Sequence, residues 1–233
     1  MMKHSDIKKK FLIEYDKANI TSSYPSYTDY ENATLLDKAY LALIAQKVTG
    51  NNPRQSGFES DNKAISDIQP LVITRAIEQS GRSVYAENDV IYDQPEDMLY
   101  FVQAKMNVGY NIQSAVVYSF VEVTQVAHEL AVKYMCTTHN KPWVEVPVCY
   151  MEDNKVIVLV DPVLHTPNTL MLTYVKEPKK FVDYNFDENN PEAVFELSDS
   201  MAEELINLAI IFATETVESP RLSTKVNIRP LES

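Results

Sequence analysis

The stretches "MLYFVQAKMNV" (Met98–Val108) and "NIQSAVVYSFVEV" (Asn111–Val123) decide how the chain is read. Both are rich in Val, Tyr, Phe and Ile, whose branched or flat side chains suit a half-buried pleated surface, so both are predicted to be strands. "SVYAENDVIYD" precedes them with the same period of two, and "WVEVPVCYM", "KVIVLV" and "TLMLTYVK" follow. The turn "EDN" between "WVEVPVCYM" and "KVIVLV" predicts an antiparallel meander, and Pro147 places its strand at an edge or a bulge because it cannot donate to a ladder. One short helix, "TQVAHELAVKYMCTTHNKP", interrupts the strands and is expected to be capped by Thr124.

Helical spacing holds on either side of this middle. Thr28 can cap a helix while Glu31 reaches back to its amide, and Leu36, Tyr40, Leu43, Ile44 and Lys47 then recur at helical spacing, which predicts a helix over 28–49. A shorter amphipathic helix is expected from Asp6 to Asn19, and a further one should end or kink at Pro70, which lacks an amide hydrogen. Near the C-terminus Ser198 and Ser200 offer capping oxygens, Glu203 and Glu204 complement the positive helix start, and Ser219-Pro220 stops the run. The expected fold is therefore α+β: a helical bundle from the N- and C-terminal segments packed beside an antiparallel β-sheet or meander, in a single domain. Its expected parts are helical over 6–80, strand-rich over 84–180, helical over 198–217, with an extended C-terminal arm over 219–233.

Charge narrows the function. The net charge is −12. Phe181 to Pro220 holds ten acidic residues and no Lys or Arg, while basic residues gather at Lys3, Lys8, Lys9 and Lys10 and at Arg221, Lys225 and Arg229. Gripping nucleic acid takes a basic stripe that displaces condensed counterions, and none is present. No run approaches the roughly 18 apolar residues of a membrane helix, and "MMKHSDIKKKFLIEY" lacks the apolar core of a signal peptide, so a protein made in the cytoplasm and free of membrane is expected.

Reactive residues are few. Cys136-x-x-His139 is half of a zinc site with no second pair, and "AHELAV" lacks the second histidine of a zinc-protease helix. Cys149 could be drawn as a nucleophile with His139 or His165 as base, yet only proximity in sequence supports it. The acid pairs Glu96/Asp97, Glu152/Asp153 and Glu203/Glu204 are adjacent residues at turns or helix starts, an arrangement that does not support acid/base work. Four glycines, none in a phosphate-cradling loop, argue against nucleotide chemistry. No enzyme activity, metal or cofactor is expected. Among 14 tyrosines, Tyr24, Tyr27 and Tyr30 sit in or beside a short linker and are candidate contact residues, since tyrosine is enriched where surfaces become interfaces.

"YTDYENATLLDKAYLALIAQKVTGNN", "GFESDNKAISDIQPLV", "VEVTQVAHELAVKYMCTTHNKPW", "LMLTYVKEPKKF" and "FELSDSMAEELINLAIIFATETVESPRL" occur in an order that resembles a family of virion structural proteins of crAss-like bacteriophages of gut Bacteroidales, the head-tail connector or ring proteins. The resemblance runs from about Asp6 to Leu222, departing from the family pattern at "CTTHNKPW" and "YVKEPKK". It implies a homo-oligomeric ring, dodecameric, at the portal vertex of the virion. Such a ring touches the portal protein and other ring or tail proteins, and DNA passes through its channel without specific binding. Arg221, Lys225 and Arg229 then become interface candidates on an arm that meets a neighbouring copy, and the acidic run a candidate lumen or inter-subunit face. Other readings stay open: a different virion-associated protein, as packaged cargo or packaging accessory, or a small hydrolase.

Overall fold

The computed structural model describes residues 2–18, 27–49, 66–82, 89–112, 115–136, 142, 146–161, 166–184 and 194–216. The chain divides into two compact units, one formed by Met1–Leu71 with Pro178–Ser233 and the other by Val72–Glu177. The second unit is thus a continuous insertion within the first. Its end strands are paired, Val72 opposite Val175, so the chain enters and leaves it at neighbouring points.

The first unit is helical. Helix α1 spans His4–Ala18, α2 spans Asp29–Thr49, and α4, after the barrel, spans Asp199–Thr216. α4 packs against both α1 and α2. Its buried residues include Met201, Leu205, Ala209 and Ile210, facing a core that holds Phe11, Leu36, Tyr40, Ile44, Phe181 and Phe195. The expected capping box forms: the Thr28 amide donates to Glu31 Oε2 at 2.7 Å, and the Glu31 amide donates to Thr28 Oγ1 at 3.3 Å. Ser198 Oγ accepts from the Met201 amide at 3.3 Å at the start of α4. Asp37, on α2, accepts amides from Phe181 at 2.6 Å and Val182 at 3.2 Å, which fixes the short 3-10 turn Val182–Tyr184.

His4 is buried and stacked on Phe181, ring centroids 4.2 Å apart. Burial pulls its pKa down to about 4, with Lys179 adding to the shift and Glu196 opposing it. A lowered histidine pKa favours folding above the unfolded value of 6.5, and that contribution is lost as pH falls toward 4.

The second unit corrects the expected fold. Its strands do not form an open antiparallel sheet or meander beside a bundle; they close into a seven-stranded barrel in the order β1-β2-β6-β5-β4-β3-β7, with β7 returning to β1. The strands are β1 Val72–Arg82, β2 Asp89–Asp93, β3 Met98–Ile112, β4 Ala115–Gln125, β5 Val148–Glu152, β6 Lys155–Leu159 and β7 Thr166–Lys176. Six pairings are antiparallel. The β4–β5 pairing is parallel and short, Thr124 opposite Val148 and Gln125 opposite Cys149. A parallel neighbour requires a crossover of a dozen residues or more, and helix α3, His128–Cys136, lies in that connection.

Two local expectations change for the same reason. Thr124 does not cap α3: it belongs to β4, and its amide donates to the Pro147 carbonyl at 3.0 Å, part of the seam that closes the barrel. Beyond Pro70 the chain turns through Gln69–Leu71 and immediately becomes β1, where no strand was expected before Val84. β1 is held by its neighbour β7 across seven residue pairs, from Val72↔Val175 to Glu78↔Thr169, including a hydroxyl contact of 2.9 Å between Thr74 and Thr173. Tertiary pairing of this kind overrides the mixed propensity of "TRAIEQ".

Alternation fills the barrel. Val90, Tyr92, Ala104, Met106, Val121, Cys149, Val156, Val158, Leu170, Leu172 and Tyr174 share one buried cluster. The opposite faces of β5 and β6, Val148, Tyr150, Ile157 and Leu159, are buried in a second cluster with Ala131 of α3. Strands buried on both faces read as continuous apolar runs, which explains "VCYM" and "VIVLV".

The β5–β6 hairpin turns at Asp153 and Asn154, whose φ values of 49° and 56° are both positive. Asn and Asp tolerate this left-handed geometry and other L residues strain it. Asn154→Ala is therefore expected to cost about 1 kcal/mol and Asn154→Gly to be neutral or better. Urea unfolding of the two variants checks this, and an alanine variant as stable as the glycine one would refute it.

Candidate interaction surface

Among the described residues the β3–β4 hairpin outruns the strands on either side of it. β3 stays paired with β7 only as far as Gly109↔Thr166, while β3 and β4 remain paired to Ile112↔Ala115. On its other side β4 meets β5 at Thr124 and Gln125. In consequence Tyr118, Ser119 and Phe120 are exposed in succession, Tyr118 at 60% and Phe120 at 62%. Successive strand residues point to opposite faces, so Tyr118 and Phe120 share one face of β4, while Ser119 lies on the face where Val108 and Val121 are buried. Opposite Tyr118 and Phe120 stand Gly109 and Asn107, neither of which has the bulk to cover an aromatic ring. The first charged pair is Glu122↔Lys105, and Glu122 also accepts from Gln103 Nε2 at 3.2 Å.

The sequence carries a plain signal for this surface that the strand pattern alone does not bring out. Met106 to Val121 contains no Asp, Glu, Lys or Arg, in a chain of which 23% is charged. Met106, Val108 and Val121 owe their lack of charge to the barrel core, but Tyr118, Ser119 and Phe120 are exposed, where charge is ordinary, and exposed aromatics without charge mark something other than a solvated face.

The residues singled out from sequence fall elsewhere. Tyr24, Arg221, Lys225 and Arg229 lie outside the described residues. Tyr27 is half-buried: its hydroxyl donates to the Ala213 carbonyl at 3.1 Å and its ring lies 5.4 Å from that of Tyr15, so it ties the entrance of α2 to α4. Tyr30, in the first turn of α2, is 69% exposed. The charges expected to align neighbouring copies are partly met within the chain, since Lys8 lies 2.7 Å from Asp29, Lys10 pairs with Glu203, and the Met2 amide donates to Asp199. Glu203 and Glu204 diverge as adjacent acids should, but Glu204 turns inward to Lys47 at 2.9 Å.

The reactive candidates are separated. Cys149 lies fully buried in the barrel, and burial pushes its thiol up to about 12, far from the thiolate that nucleophilic work needs. His139 and His165 lie outside the described residues, as does the side chain of Cys136. His128 is exposed, with Nε2 3.4 Å from Glu152 Oε2 and its ring edge-on to Tyr150 at 5.3 Å. Asp97 accepts from the Tyr174 hydroxyl at 2.8 Å and from Arg75 at 3.4 Å, bracing the β2–β3 turn against β7 and β1. Burial, with the Asp97 hydrogen bond and charge added, raises the Tyr174 hydroxyl to about 12. Among the described residues no group of three or more His, Cys, Asp or Glu is placed to hold a metal ion, and no helix is long and apolar enough to cross a membrane. No protein-family model matches the chain, and no curated protein matches it.

Proposed function

We propose that the chain is a virion structural protein, one layer of a dodecameric ring beneath the portal that joins capsid to tail and extends the DNA channel. The observation that carries this reading is electrostatic. A net charge of −12 with no basic stripe gives a protein that DNA phosphates avoid, which lets a duplex slide past without being held. Support also comes from the exposed apolar residues, which fall in both units: Ile13, Tyr30 and Leu41 in the helical unit, Leu130 and Val146 in the barrel unit. A closed head-to-tail ring needs two different patches on every copy, and residues able to build two are present. The resemblance in motif order to connector proteins of crAss-like phages points the same way.

The test is mass by light scattering, with negative-stain imaging, for the purified protein alone and mixed with its portal protein. A closed ring, free or on the portal, is the expected result. A stable monomer indifferent to the portal would sink the proposal.

A further inference from the structure

We propose that two copies of this chain join through the free edge of β4, their strands pairing antiparallel about a two-fold axis near Ser119. Among the described residues, β4 between Ala115 and Val121 pairs with β3 alone. An edge of this kind presents a row of unpaired amide and carbonyl groups, and natural edges are guarded by charge, proline or a bulge. "AVVYSFV" has none of the three: no charge, no proline, and an unbroken register against β3. A long uncharged β-rich edge without a second neighbour among the described residues invites another strand.

The occupant follows from charge and from self-complementarity. Two molecules of net charge −12 repel one another over most of their surfaces, and the cost of approach is least where neither carries charge. The exposed residues Tyr118, Ser119 and Phe120 make such a place. In an antiparallel register centred on Ser119, Tyr118 of one copy stands directly opposite the partner's Phe120, and Phe120 opposite the partner's Tyr118. The two-fold therefore makes two aromatic cross-strand pairs on one face from residues that are 60% and 62% exposed in the single chain. The strand reads well against itself, as an isologous contact demands. The order β7-β3-β4 would then continue through the partner's strands as one sheet. This contact is separate from the head-to-tail patches of a ring and joins copies in pairs, in solution or between stacked layers.

The experiment uses the full chain. Sedimentation across a concentration series is expected to show a monomer–dimer equilibrium, and Phe120→Lys, which puts a like charge beside its counterpart at an exposed site, is expected to weaken it by about tenfold or more while leaving the thermal midpoint unchanged at concentrations where both chains are monomeric. Ser119→Cys in a Cys136→Ser background is expected to give a disulfide-linked dimer under mild oxidation, whereas Tyr30→Cys, equally exposed but in the helical unit, gives none. A wild-type chain that stays monomeric at every concentration overturns the proposal, and so does cross-linking at Ser119 no faster than at Tyr30. Rings on the portal without Ser119 cross-linking overturn this contact and leave the ring reading standing; a cross-linked pair that never forms a ring supports the contact and counts against the ring.

Discussion

Lys47→Ala is expected to destabilise the helical unit by about 3–5 kcal/mol, a large share of a domain's total stability. Lys47 Nζ lies 3.2 Å from Asp67 Oδ2 and 2.9 Å from Glu204 Oε2, and all three side chains are about nine-tenths buried. Burial by itself would lower the lysine pKa, but hydrogen bonds and charge from Glu204 and Asp67 outweigh it, so the pKa is raised and the ammonium is held. Removing the cation leaves two carboxylates facing each other in a poorly solvated site, and the cost comes from that uncompensated charge more than from the lost contacts. Lys47→Met, which keeps most of the apolar stem, should therefore be almost as harmful as alanine. Replacing Lys47, Asp67 and Glu204 together by apolar residues should restore most of the loss. Urea unfolding separates the cases: a methionine variant within 1 kcal/mol or so of wild type would show that packing of the stem, and not charge, is what matters here.

Lys47 also shows where sequence stops being legible. Its spacing with Leu36, Tyr40, Leu43 and Ile44 places it on the buried face of α2, which the structure bears out. Nothing local indicates that its partners come from Asp67 and from Glu204, because an ion pair of this separation exists only once the helices have packed. The capping box at Thr28 and Glu31, the cap at Ser198 and the turn at Asp153-Asn154 were readable because each is decided within a few residues. Barrel closure was not. It rests on a parallel seam with two residue pairs among the described residues and on β1, a strand whose sequence "VITRAIEQSGR" holds as many helix formers as strand formers and is committed by pairing with β7 almost a hundred residues later. Even Thr124, a reasonable helix cap by type, is taken by that seam. The candidate surface was half legible: strand character in Met98–Val123 is plain from side-chain type, and so is the missing charge. Which part of the hairpin outruns its neighbours depends on where β5 and β7 end.

Alkaline titration is expected to unfold the barrel between about pH 9 and pH 12. Burial raises the hydroxyls of Tyr92 and Tyr150 and the thiol of Cys149 to about 12, with Asp89 and Glu152 adding to the shift at Tyr150; Tyr174 reaches a similar value with help from Asp97. Ordinary values are 10.0 for tyrosine and 9.0 for cysteine. Each group thus binds its proton more tightly when folded, and the stability this represents is complete below pH 9 and lost as pH rises toward 12. A rise of two corresponds to about 2.7 kcal/mol and a rise of three to about 4.1 kcal/mol, so Tyr92 and Cys149 together remove on the order of 7 kcal/mol, within the range of a small domain's total. Lys47 acts in the same direction in the helical unit, since its raised pKa also favours folding only while the proton is held. Tyr92 offers the cleanest check. Its hydroxyl is buried with no partner among the described residues, so Tyr92→Phe removes an unsatisfied polar group and should be neutral or stabilising at pH 7. With the ionisable group gone, the alkaline midpoint, followed by circular dichroism, should move upward, and Cys149→Val should move it further. A midpoint unmoved by both substitutions would mean that the barrel opens first at some other place, and that its interior proton-holding groups ionise only after the strands have parted.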